Sequence, residues 1–403
     1  MKRFIVIVID SFGVGEMADT KNLRPEDIGA NTAGRLIRFD KDIKLPGLEK
    51  LGLMNVLGFE TDNMHFSRNA IYARSNLKHY GADTFYGHQE IMGTNPIRPE
   101  VMRFNDHIDE VEKDLNDHGY RTRRFGDKGH QVLFVNEMMG IGDNIETDPG
   151  QAINVTASFD LTNFDEVKKV GKIVRKHYKV PRIIAFGGKG VKFQDIVNAI
   201  KVNGDFVGID APMSGVYNDG YLVQHIGYGI DTSVQLPHIL PDQGVHVYLY
   251  GKVADIVDNP NGTMFYGVDT TMLLNQLYED LKANKEGFYC LNVQETDLAG
   301  HAENPKRYIE KLHETDIYLE KIMAILKEDD IMVVMADHGN DPFIGHSHHT
   351  REKVPLLVYC NNGVVGSFKE RETMADVAAT VAEYFKTKTQ FGTSFLKEIK
   401  KEV

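Results

Sequence analysis

"FYCLNVQETDLAGHAENPKRYIEKLHETDIYLEKIMAILKEDDIMVVMADHGND" runs from Phe288 to Asp341. Its first run, "FYCLNV" (Phe288 to Val293), and its last, "IMVVMA" (Ile331 to Ala336), are apolar nearly throughout instead of alternating. That is the pattern of strands buried on both faces of a sheet. Between them Asn304 reads as an N-cap and Pro305 as the first helical residue. Tyr308, Leu312, Leu319, Ile322 and Leu326 then form one apolar stripe at helical spacing. Strand, helix and strand make a βαβ unit around residues 288–336, which calls for a parallel pair of strands. Each strand runs straight into an acid and a histidine: Asp297 and His301 in "ETDLAGH", Asp337 and His338 in "ADHGND".

Similar apolar runs lie elsewhere: "FIVIVI" (Phe4 to Ile9), "RIIAF" (Arg182 to Phe186), "VHVYLY" (Val245 to Tyr250) and "PLLVY" (Pro355 to Tyr359). The fold class is α/β, with a mostly parallel central sheet flanked by helices. Residues 99–224 read differently, with mixed signals broken by "GD", "GG" and "DG" turn pairs. They are expected to form an inserted, smaller α+β domain, leaving residues 1–98 and 225–403 as the core. The chain of 403 residues is long enough for two domains.

A net charge of −12 argues against binding nucleic acid or an anionic membrane surface, since both call for a basic face. No window reaches the roughly 18 apolar residues of a membrane span. The apolar run after Met1 is interrupted by Asp10 too early for a signal peptide. Cys290 and Cys360 sit in strand-like runs and read as buried reduced thiols, so a cytoplasmic location is expected. Nothing in the sequence indicates the oligomeric state.

Asp10, in "VIVIDSFGVGE", is a third acid at the end of an apolar run. Ligand sites of open α/β sheets lie beyond the carboxyl ends of the strands. Parallel strands would therefore bring Asp10, Asp297 and Asp337 to one edge. Any one of these motifs alone is an ordinary turn or cap. Together, acid and His without Cys suit a divalent cation of intermediate hardness. "GVGEMA" (Gly13 to Ala18) also fits a dinucleotide-binding glycine pattern, but the charge of Asp10 ahead of it would repel a pyrophosphate. The stretch "MADHGNDPFIGHSHHTRE" (Met335 to Glu352) adds His346, His348 and His349.

These residues resemble a known family. "ADTFYGHQEIMG" (Ala82 to Gly93) is similar to the nucleophile segment of phosphopentomutases, and "VIDSFGVGE" and "ADHGNDP…HTRE" are similar to that family's metal motifs. The wider group is the alkaline phosphatase superfamily, which also holds the cofactor-independent phosphoglycerate mutases. The resemblance implies an alkaline-phosphatase-like core with an inserted cap. It implies two divalent ions, manganese foremost, with zinc or magnesium as alternatives. Asp10, Asp337 and His338 would hold one ion, and Asp297, His301 and His349 the other. Thr84 would be the nucleophile, and Lys252, in "YLYGKVADI", would meet a phosphate. His346 and His348 are the surplus, expected to support the ligands or to face solvent and not to bind an ion themselves. A hydroxyl is a poor nucleophile at neutral pH, and coordination corrects that. Three carboxylates against two dications leave a local charge of about +1, so an acidic protein can still bind a phosphate.

There are departures. "FYGHQ" follows Thr84, where phosphopentomutases carry a small polar pair and then G-H-W. The D-x-x-G-H spacing of Asp297 and His301 is closer to the phosphoglycerate mutases. An Arg-rich stretch of the mutases has no counterpart near "YGIDTSVQLPH" (Tyr228 to His238). The expected function is a metal-dependent phosphomutase acting through a phosphothreonine on a ribose- or deoxyribose-phosphate-class sugar. A phosphatase or phosphodiesterase of the same superfamily, and a non-catalytic metal-binding homologue, are the alternatives.

Overall fold

A computed structural model describes residues 2–146, 150–283 and 285–401. Its larger sheet has eight strands: β1 (Arg3–Ile9), β2 (Ile71–Ser75), β3 (Val247–Tyr250), β4 (Thr263–Phe265), β5 (Gly287–Val293), β6 (Ile331–Met335), β7 (Val354–Cys360) and β8 (Gly366–Ser367). They lie in the order β4-β3-β5-β1-β6-β7-β2-β8. The five strands from β4 to β6 are mutually parallel, and β7 is antiparallel to both its neighbours. The fold is thus α/β with a mostly parallel sheet.

Every residue of β1, β5 and β6 is buried, as unbroken apolar runs require. One core joins these strands to Leu36, Leu48, Leu277, Leu312 and Val381 of the surrounding helices. β1 is the central strand. Val8 lies opposite Asn292 of β5 on one side and Met335 of β6 on the other, so the three strands end level.

The crossover between β5 and β6 is the helix Pro305–Ile325. Asn304 caps it by accepting from the Arg307 N–H, and Tyr308, Leu312, Leu319 and Ile322 are buried along it, with Leu326 just past its end. The same helix buries Asp316, whose carboxylate accepts from the Gly47 and Leu48 N–H groups and so caps the helix Pro46–Leu51 from a distance. Burial pushes the Asp316 carboxyl up to about 6.

The chain divides into two compact units, Met1–Pro96 with Asp231–Val403, and Ile97–Ile230. The second has a six-stranded sheet. In spatial order its strands are Leu222–Gly227, Arg182–Gly188, Ala152–Ser158, Met139–Asp143, Val132–Val135 and Thr122–Phe125. Ala152–Ser158 and Arg182–Gly188 are parallel and the other pairs antiparallel. The helices Ile108–Asp117 and Phe164–Arg175 share one apolar cluster with this sheet, and the helix Phe193–Asn198 shares a second. The expected boundary at 224/225 falls inside a strand. Leu222–Gly227 pairs along its whole length with Arg182–Gly188, and as a half-exposed edge strand it lacks the apolar run that marks the others.

No helix of the described residues is long and apolar enough to cross a membrane. Both cysteines are buried and free, and burial pushes the Cys290 thiol upward.

Candidate metal centre

Three acids stand just beyond the level ends of β1, β5 and β6. Asp10 follows β1 directly, Asp297 lies in the short helix Glu295–His301 after β5, and Asp337 follows β6 by one residue. Asp10, Asp337 and His338 are completely buried. The His338 Nε2 lies 3.4 Å from Asp10 Oδ1 and 3.2 Å from Asp337 Oδ2. Its Nδ1 is committed as a donor to the Gly339 carbonyl at 2.9 Å, so Nε2 carries the lone pair when the ring is neutral. Asp10 Oδ1 and His338 Nε2 are buried polar atoms with no hydrogen-bond partner. Such orphans are rare in native structures.

The second group is more open. His349 Nε2 is 3.3 Å from Asp297 Oδ1, and His301 Nε2 is 3.4 Å from Asp297 Oδ2. The two imidazole Nε2 atoms are only 2.9 Å apart. His301 donates its Nδ1–H to the Ser347 carbonyl at 2.7 Å, and His349 donates its own to the Ala82 carbonyl at 2.8 Å. With both Nδ1 atoms used as donors, each ring when neutral turns an Nε2 lone pair toward Asp297, although the bond to Asp297 raises the His301 ring above its ordinary value. Imidazoles whose Nδ1–H is tied to a backbone carbonyl have the tautomer that can offer Nε2 to a cation. Three carboxylates and three imidazoles, without sulfur, fit a divalent ion of intermediate hardness.

His338 also falls within reach of the second group. Its ring stacks on His349 at 3.9 Å, and one ligand atom from each of Asp297, His338 and His349 lies within 4.8 Å of the others. The resemblance assigns His338 to the first ion alone, whereas here it lies within reach of both groups.

The charges are strongly coupled. Burial and then the Asp337 carboxylate push Asp10 up to about 6, against the pull of Lys252 and His338. Burial also opposes ionisation of Asp297 and Asp337, yet neighbouring imidazoles hold both well below the usual carboxylate range. Burial opposes a charge on His338, but Asp337, Asp297 and Asp10 outweigh it and lift the ring to about 9. His349 is held below its ordinary value by burial and by His338.

Lys252 begins a short helix after β3. Its ammonium is 2.8 Å from Asp10 Oδ2 and 3.5 Å from Asp297 Oδ2, on the carboxylates themselves. Burial works against its charge, but Asp10, Asp297 and Asp337 raise its pKa further above the ordinary range.

Thr84 opens the helix Thr84–Ile91, which Asp83 caps by accepting from the Tyr86 N–H. Its Oγ1 donates to Asp337 Oδ2 at 2.6 Å. The other two histidines of the loop are placed elsewhere. His346 spends its Nε2 on Asp27 at 3.1 Å and its Nδ1 on the His348 N–H, while His348 itself is exposed.

The structure adds residues that motif reading missed. Ser11 has a positive φ of 66°, which turns its N–H onto Asp337 Oδ1 at 3.2 Å. Asn340 donates to Asp297 Oδ1 at 3.1 Å. His88 lies one turn along from Thr84, with Nδ1 2.9 Å from the Thr84 carbonyl and Nε2 2.9 Å from Asn292 Nδ2. Asn292 had a signal: it is the one amide in the apolar run "FYCLNV".

The model of the metalloenzyme superfamily matches residues 2–389. The chain belongs to the metalloenzyme superfamily. Membership implies a divalent-cation site, and the Asp and His clusters are where this superfamily member can hold one. Among solved structures, the chain is similar to the PH0037 protein from Pyrococcus horikoshii. That match has 15% identity over 97% of this chain and 98% of that one, with a TM-score of 0.46. Phosphoglycerate mutase from Leishmania mexicana is 12% identical over 97% of each chain, with a TM-score of 0.47. Alkaline phosphatase from the Antarctic bacterium TAB5 is 10% identical over 96% of this chain and 98% of that one, with a TM-score of 0.35.

Proposed function

We propose that this superfamily member is a metal-dependent phosphotransferase of the phosphomutase type, with Thr84 as the group that takes and returns the phosphoryl. The observation that carries the reading is the 2.6 Å hydrogen bond from Thr84 Oγ1 to Asp337 Oδ2, inside the cluster of acids and imidazoles. Asp10, Asp337 and His338 would hold one cation, and Asp297, His301 and His349 a second, with manganese our first choice and zinc or magnesium next. Bound there, the ions supply Lewis acidity that acidifies a hydroxyl and neutralises phosphate charge.

The chain's own residues do the rest. Asp337 Oδ2 accepts a hydrogen bond from Thr84 Oγ1 and, held well below the usual carboxylate range, aims that oxygen without keeping its proton as a bond forms from Oγ1 to phosphorus. The bond from phosphorus to the sugar oxygen breaks in the same displacement, and that oxygen takes up the proton that Thr84 has lost. Transfer from Thr84 to a second hydroxyl of the sugar reverses these events and restores the free Thr84. Thr84 is fixed at the start of a helix, so its hydroxyl sits where the backbone N–H groups favour negative charge. The Lys252 ammonium adds a fixed positive charge beside Asp10. The substrate class we infer is a small phosphorylated sugar of the ribose or deoxyribose type.

The test is mass spectrometry of the full-length protein with Mn2+ after incubation with a sugar bisphosphate. We expect one phosphate on Thr84 and none on Thr84→Val. An unmodified Thr84 in a protein shown to have bound Mn2+ would overturn the reading. Release of inorganic phosphate without isomerised sugar would assign a phosphatase instead.

A further inference from the structure

Arg351 belongs to "HTRE" (His349 to Glu352), and no role in the proposed transfer has used it. It is 3% exposed. Its guanidinium spends all five N–H donors. Nε and Nη2 form a fork on Asp19 at 2.9 and 2.8 Å. Nη2 also reaches the Leu77 carbonyl at 3.1 Å, and Nη1 reaches the carbonyls of His79 at 2.9 Å and Gly81 at 2.5 Å. The Asp19 carboxyl is held below its ordinary range, chiefly by these bonds.

The carbonyls at 77, 79 and 81 belong to the irregular segment between β2 and the helix Thr84–Ile91. Several of this segment's amides also turn to side chains: Leu77 N–H to Met17 Sδ, and the Lys78 and His79 N–H groups to Glu90. The segment ends at Thr84. Its Ala82 carbonyl is the acceptor that orients the His349 ring. Arg351 therefore grips, at alternate residues, the stretch that sets both a nucleophile and a ligand. It is itself two residues along from that ligand, and its own N–H is fixed by Asp27 at 2.8 Å.

We propose that Arg351 is the positioning residue that holds the Thr84 hydroxyl and the His349 side of the metal centre in one frame. The proposal rests on the two-cation reading above. Only a guanidinium suits the post, since a lysine offers three donors from one point and cannot span a carboxylate and three carbonyls. Outer-shell partners of this kind are worth about 10–100-fold in metal affinity.

The test uses full-length wild type, Arg351→Lys and His349→Ala, each in Mn2+ titration calorimetry and in hydrogen exchange without metal. His349→Ala identifies which Mn2+ event belongs to the open half. In Arg351→Lys we expect that event alone to weaken by about 10–100-fold, the other staying within about twofold. Exchange over residues 76–84 should accelerate at least about tenfold while β1 and β6 keep their protection. Two Mn2+ events unchanged from wild type would overturn the role of Arg351. So would exchange that accelerates evenly through the core, which marks general destabilisation. Wild type that binds fewer than two Mn2+ would overturn the two-cation reading instead. If Arg351→Lys does not fold, Asp19→Ala serves in its place. Asp19 is 41% exposed, so its loss strands no buried carboxylate while freeing two of the five bonds. The same selective loss, reduced to about threefold, is expected there, and no selectivity would overturn the proposal.

Discussion

The two halves of the proposed metal centre are built differently. Asp10, Asp337 and His338 are wholly buried at or just past the ends of β1 and β6, so the sheet itself sets their spacing. His301 and His349 are 42% and 20% exposed, and neither stands at a strand end. Their rings are aimed by the backbone carbonyls of residues 347 and 82. One half is set by strand ends, the other by a short helix and the loop that carries His349. The buried half should therefore bind the more tightly and tolerate substitution the less, while the open half should give up its ion first.

The strongest way to break this contrast is Asp337→Asn. The substitution keeps the shape but removes the charge, and it turns an amide toward His338 or Thr84. The buried half should lose more than about 100-fold in Mn2+ affinity, beyond what outer-shell losses cost. Phosphate uptake on Thr84 should vanish with it, because Asp337 Oδ2 also accepts the hydrogen bond that aims Thr84 Oγ1. Mn2+ titration together with mass spectrometry checks both. An open half that fails equally would mean that the halves are one cooperative unit.

Acidity sharpens the comparison. In the metal-free protein His338 stands near 9 and Asp10 near 6. A cation at the buried half must displace the His338 proton, so its apparent affinity should rise about tenfold per pH unit from near neutrality up to about 9. Below about 6 a proton on Asp10 adds a second factor, and the slope should approach 100-fold per unit. His349 is held below its ordinary value, so at neutral pH its Nε2 already carries the free lone pair. His301 of the same half is raised by its bond to Asp297, but by that one carboxylate where His338 has three, so the open half should respond less steeply above neutrality. Titrations at about pH 6.5, 7.5 and 8.5 decide this. Equal slopes would mean that His338 serves both ions, as its stacking on His349 allows.

How far the sequence reveals this architecture depends on the kind of contact. β1, β5 and β6 are legible because strands buried on both faces must be continuously apolar. The acids are legible because a polar residue directly after such a run has few other reasons to be there. Contacts between distant positions with no periodicity are not legible. Lys252 meets Asp10 across 242 positions, and its placement on two carboxylates follows only from β3 lying beside β5. Asp316 caps a helix that starts 270 positions earlier, a pairing that no local spacing encodes. The edge strand Leu222–Gly227 escaped notice because one side of it faces solvent, so its pattern is that of a loop. Arg351 stands in a legible motif, yet three of its five bonds go to backbone carbonyls, which carry no sequence identity.

The smallest expected effect tests the finest distinction, that between neighbouring histidines. His349→Ala should cost the open half its ion by at least about tenfold. His348→Ala should leave both Mn2+ events unchanged and thermal stability nearly so, since His348 is exposed, its ring meets only the edge of the contact range to His346 at 5.7 Å, and its N–H to His346 is backbone. His346→Ala lies between the two. It removes a donor from Asp27, which is fully buried and also accepts from Arg24 and the Arg351 N–H. The loss of one of three donors to a buried carboxylate should cost about 1–2 kcal/mol of stability. Because Asp27 holds the same backbone that carries Arg351, the cost should appear as faster hydrogen exchange around residues 346–352 before any Mn2+ is lost. If His348→Ala instead removed an ion, His349 would be the wrong ligand, and the carbonyl of Ala82 would be orienting a ring that binds nothing.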